Sequence, residues 1–130
     1  MIGRLHHLVI DCPDPLALAR FYSELTGQPI TRTEPDWVVV SADETSSGLA
    51  FQLALDHQPP TWGNPARPQQ MHLDVMVDDV ASAEPKVLQL GARKLAEPDD
   101  PEGFRVYADP AGHTFCLIPR PGWADPIHAP

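Results

Sequence analysis

Polar and apolar positions alternate in two stretches that begin alike. His7 to Asp14 reads HLVIDCPD, and His72 to Asp79 reads HLDVMVDD. A period of two predicts half-buried strands. In the first, Leu8 and Ile10 share a face, and His7, Val9 and Asp11 share the other. In the second, Leu73, Val75 and Val77 oppose His72, Asp74 and Met76. The period then lengthens to that of a helix. Leu18, Phe21, Tyr22 and Leu25 recur at i, i+3, i+4 and i+7, Asp14 can cap that helix, Pro15 suits its first position, and Gly27 can close it. Val80, Ala83, Val87 and Leu90 form a second stripe, interrupted by Pro85. Proline is tolerated in a first turn, so the regular helix is predicted to begin near Ser82. Strand candidates follow each helix: PITRT, WVVVSA and LAFQLAL, then RKLAE, FRVYAD and TFCLI, with a tight turn at ADPAGH. In these, Phe51, Leu53 and Leu55 oppose Ala50, Gln52 and Ala54. Phe115 and Leu117 likewise oppose Thr114, Cys116 and Ile118.

The two halves repeat. His7 and His72 are 65 residues apart, Gly27 and Gly91 are 64 apart, and Phe51-Gln52-Leu53 recurs 64 residues later as Phe115-Cys116-Leu117. The predicted class is α+β, with two βαβββ modules over about 4–57 and 70–120. A linker at 58–69 and an irregular tail at 121–130, docked through Trp123, complete the chain. One module leaves a sheet face bare, so the pair is expected to form a curved, barrel-like mixed sheet around a shared cavity, helices outside. The aliphatic faces should pack on the helices. His7, Gln52, His72, Asp74, Met76 and Cys116 then face the cavity, while His6 alternates outward.

Composition narrows the partners. The 130 residues carry 9 basic and 18 acidic side chains, a formal charge of -9. With no Lys/Arg cluster, nucleic acid and anionic membranes are unsuitable partners. No apolar run approaches the roughly 20 residues that span a bilayer. The N-terminus lacks the basic flank and apolar stretch of a signal peptide, which predicts a cytoplasmic protein. Two cysteines, Cys12 and Cys116, make no disulfide framework. His57, His113 and His128 fall in loops or the tail and are expected to be solvated.

The stretches HLVIDCPDPLALARFYSELTG, MHLDVMVDDV and VYADPAGHTFCLI resemble the vicinal oxygen chelate superfamily, the glyoxalase and bleomycin-resistance fold. Over about residues 4 to 120 the match is nearest to a small glyoxalase-like subgroup. The resemblance implies a homodimer and a small-molecule ligand. In metal-dependent members the ligands come from the first and last strand of each half. Carried over by motif, these are His7, Gln52, His72 and Cys116, holding zinc, nickel, iron or manganese. Cys116 stands where catalytic members usually have Glu, and a thiolate binds zinc but is a poor proton-transfer base. Asp74, roughly 7 Å along the strand from His72, is the candidate acid or orienting partner. Two functions stay open. One is binding of a small hydrophobic or oxygen-rich molecule in the cavity. The other is metal-dependent lyase, isomerase or dioxygenase chemistry on adjacent oxygens.

Overall fold

The computed structural model describes residues 1–128 and divides into two compact units, Met1–Gln58 and the chain from Pro59 onward. The class is α+β. In the first unit the order is β1 (His7–Cys12), α1 (Pro15–Thr26), β2 (Ile30–Glu34), β3 (Trp37–Val40) and β4 (Gly48–Leu53). In the second it is β5 (Leu73–Val77), α2 (Val80–Gln89), β6 (Arg93–Lys94), β7 (Arg105–Ala108) and β8 (Thr114–Pro119). Each unit has one four-stranded mixed sheet, in the order β1-β4-β3-β2 or β5-β8-β7-β6. In each, the first strand pairs in parallel with the last, and the other pairs are antiparallel.

Helix α1 forms where its sequence signals place it. The Asp14 carboxylate accepts the Ala17 N–H, Pro15 opens the helix, and Gly27 closes it at φ 72, a left-handed conformation that suits glycine. The helix buries Leu18, Ala19, Phe21 and Tyr22. Tyr22 stacks on Phe51 of β4 with ring centroids 5.5 Å apart. The helix-facing side of this sheet is therefore the side of Leu8, Ile10, Val38, Val40 and Phe51. Fully burying one such side chain is worth about 1.5–3 kcal/mol.

Helix α2 differs from expectation. It begins at Val80, capped by Asp79, and continues through Pro85. Starting two residues before Ser82 makes Pro85 an interior residue, so no N–H at position 85 can bond to the preceding turn. Among its residues only Val80 and Val87 are buried. An ionic cluster supplements this short apolar stripe. Glu84 lies between Lys94, at 3.0 Å, and Arg105, and all three have side chains no more than 26% exposed. Arg105 also donates to the Pro101 carbonyl.

The chain after β8 is held by charge rather than by its aromatic residue. Trp123, expected to dock the tail, is 81% exposed. The Asp78 carboxylate instead accepts the backbone N–H groups of Ile127 and His128, each at 3.0 Å, and Nε of Arg120 at 2.9 Å. The Ile127 and His128 amides, with Arg120, hold that carboxyl well below the usual carboxylate range.

Candidate functional site

Two groups of side chains on the sheet faces away from the helices can do chemistry, one in each unit. In the first unit the exposed face of the sheet carries a groove of about 720 Å³. Strand pairing builds it. Trp37 stands opposite Gln52 and Val39 opposite Ala50, while Arg32 and Glu34 extend the wall along β2. His7, at the start of β1, lies 6.5 Å from Trp37 between ring centroids. His6, expected to alternate outward, is exposed, yet its ring lies 4.0 Å from that of His7 and also lines the groove.

The chemistry of this wall is mixed. Nδ1 of His7 accepts the Gly48 N–H at 3.1 Å. Burial, and then the neighbouring His6, lower the His7 pKa, so the ring is neutral at pH 7 and carries its proton on Nε2. Three acids, Glu34, Asp36 and Glu44, line the groove against one base, Arg32. That base is already engaged, its guanidinium donating to Glu34 at 2.8 Å. The Thr31 hydroxyl donates to Ser41 Oγ at 2.6 Å, and the Ser41 hydroxyl in turn donates to the Asp43 carbonyl at 2.8 Å. Gln52 is exposed on this face, beside Asp11 of β1.

In the second unit, His72, Asp74 and Cys116 come together, with one potential ligand atom from each within 4.8 Å of the others. Asp74 pairs directly with Cys116 across the β5–β8 ladder. His72 Nε2 lies 3.3 Å from Asp74 Oδ1. Both of these side chains are exposed, while Cys116 is buried. Burial, and then the Asp74 charge, push the Cys116 thiol pKa up. Met76 is half-buried two residues further along β5.

The repeat carries a two-residue slip that the spacing of the histidines conceals. Phe51 pairs with Ile10, whereas Phe115 pairs with Leu73. The ladder thus equates Leu73 with Ile10, and His72 with Val9 rather than with His7. A slip of two preserves the faces, because side chains alternate with that period. It shifts the levels, however. His7 stands level with Gly48, four residues along β4 from Gln52. His72 precedes Leu73, which is paired with Phe115, so it stands only two residues from the level of Cys116. His7 and Gln52 line the groove of the first sheet, and Asp74 and Cys116 stand side by side in the second. The sequence missed Arg32, Glu34 and Glu44 as groove residues, since their only signal was membership of polar strand ends and loops.

A family model described as a glyoxalase-like domain matches residues 7–118. No curated protein matches the chain. Among solved structures, a glyoxalase/bleomycin resistance protein/dioxygenase family enzyme from Burkholderia phytofirmans superposes with a TM-score of 0.67 at 17% identity, over 88% of this chain and 97% of that one. A glyoxalase-related enzyme from Fulvimarina pelagi gives 0.65 at 21% identity, over 97% and 94%. A bleomycin-binding protein from Streptomyces verticillus, complexed with copper(II)-bleomycin, gives 0.56 at 14% identity, over 93% and 100%. No helix among the described residues is long and apolar enough to cross a membrane. With a family match spanning nearly all of both sheets, this chain belongs to the glyoxalase-like domain family.

Proposed function

We propose that the protein binds a small molecule in the groove on the exposed face of its first sheet, a flat apolar part lying against Trp37 and Val39. The observation that carries this reading is the groove itself. Its volume of about 720 Å³ falls within the range of small-molecule sites, and its mostly polar lining is broken by an apolar strip at Trp37, Val39 and Leu53. His7 Nε2–H can donate to a ligand oxygen, and the Gln52 amide can donate or accept. The excess of acids disfavours anions, so the ligand is neutral or cationic. The bleomycin-binding neighbour is a relative in fold whose task is binding.

The test is intrinsic fluorescence titration of the full chain with three sets of small aromatics: phenols, amines and carboxylates. The reading expects phenols or amines to bind more tightly than carboxylates. Trp37→Ala should weaken binding by about tenfold, the equivalent of about 1.4 kcal/mol. Binding by none of the three sets, or binding indifferent to Trp37→Ala, would contradict it.

A second reading is divalent-metal-dependent chemistry on a substrate with adjacent oxygens, as a lyase, isomerase or dioxygenase. It is favoured by the convergence of His72, Asp74 and Cys116, an imidazole, a carboxylate and a thiol within one small volume.

A further inference from the structure

We infer that the second unit by itself supplies a divalent-metal centre, ligated by His72 Nε2, an Asp74 carboxylate oxygen and Cys116 Sγ, with no ligand from His7 or Gln52. This deepens the second reading and rests on it. Three observations carry it.

The first is spacing. Zinc bonds of about 2.0–2.1 Å to nitrogen and oxygen set a tetrahedral N···O edge of about 3.3 Å. His72 Nε2 and Asp74 Oδ1 already lie 3.3 Å apart. Cys116 Sγ lies within 4.8 Å of one ring nitrogen of His72 and one carboxylate oxygen of Asp74, and needs to close to about 3.6 Å, a rotamer-scale adjustment. The second observation is the state of His7. Its Nδ1 accepts the Gly48 amide, so a metal on Nε2 would require the other tautomer and set Nδ1–H against that N–H, donor facing donor. The third is the register slip. His7 and Gln52 are four residues apart in level on their ladder, about 13 Å along the strands, whereas His72 and Cys116 are two apart.

The ligand set also defines the ion. A thiolate and a carboxylate neutralise a dication, and the imidazole completes three protein ligands with one position open to solvent or substrate. Thiolate and imidazole together select zinc-like ions over magnesium or calcium. Asp74 thereby contributes the anionic oxygen that Cys116 does not. Because Asp74 and His72 are exposed, an ion can reach them without local unfolding.

The test uses the full chain stripped with chelator and titrated with cobalt(II), then competed with zinc(II). The inference expects about one cobalt per chain, visible bands of tetrahedral intensity, and a sulfur-to-cobalt charge-transfer band that Cys116→Ser abolishes. Asp74→Asn should weaken binding by at least about tenfold. His7→Gln and Gln52→Ala should change it by less than about twofold, and circular dichroism of every variant should match the parent. Equal losses in His7→Gln and Asp74→Asn would overturn the inference while leaving the metal reading in place. Failure to take up cobalt or zinc would overturn both.

Discussion

Glu84 lies between two cations on the helix-facing side of the second sheet, and its replacement by Gln tests what holds α2 in place. The helix buries only Val80 and Val87, whereas α1 buries Pro15, Leu18, Ala19, Phe21 and Tyr22. The ion cluster therefore has more to do in the second unit. Glu84 and Arg105 side chains are 12% and 13% exposed, and Lys94 is 26% exposed. Removing one partner from a fully buried pair costs 3–5 kcal/mol, because the other charge is left uncompensated. Discounted for this residual exposure, Glu84→Gln should cost about 2–4 kcal/mol. Lys94→Met should cost much less, since Glu84 keeps Arg105. The assay is urea denaturation, with the loss read from the midpoint at an unchanged slope. A loss below about 1 kcal/mol for Glu84→Gln would refute the reasoning and move the burden of holding α2 onto its two valines.

Two further outcomes follow from local geometry. Gly48→Ala should destabilise by about 1–3 kcal/mol in the same assay, because a Cβ there would overlap the Val40 carbonyl oxygen and Ser41. It should also raise the His7 pKa towards its ordinary value if the imidazole swings away from the Gly48 N–H into solvent, a change that NMR titration of the ring reads. Asp78→Asn should release the tail, seen as faster amide exchange at Ile127 and His128. Because the folded state depresses the Asp78 pKa, its contribution is present above the ordinary carboxylate range and is lost as pH falls below it. Acid should therefore release the tail of the parent chain while leaving Asp78→Asn unchanged.

Much of this architecture was legible in the sequence because the period of apolar positions is a direct consequence of backbone geometry. Leu18, Phe21 and Tyr22 could only form a buried stripe on a helix, and Asp14 and Gly27 marked its ends. Alternation placed Phe51 of β4 on the helix-facing side, but Leu53, expected beside it, lines the groove, and Leu55, beyond the strand end, is 83% exposed. What alternation cannot give is level along a strand. Matching His7 to His72 is consistent with both faces, yet the ladders make His72 the equivalent of Val9. Helix α2 starts before Ser82 because capping by Asp79 and burial of Val80 together offset the cost of an interior Pro85. Trp123 was a plausible anchor by size, but the backbone N–H groups of Ile127 and His128 found a carboxylate instead. The acidic wall of the groove was not legible at all, since Glu34, Asp36 and Glu44 become neighbours only through the β2–β3–β4 pairings and the adjoining loop.

A ligand in the groove around Trp37 would register in a map of backbone amide shifts in the labelled full chain, titrated with a neutral or cationic aromatic from the fluorescence panel. Shifts should concentrate at His7, Arg32, Trp37, Val39 and Gln52, with Kd from the shifts matching that from fluorescence. Shifts confined to the α1 or α2 surface, or a map indifferent to every member of the panel, would contradict binding there.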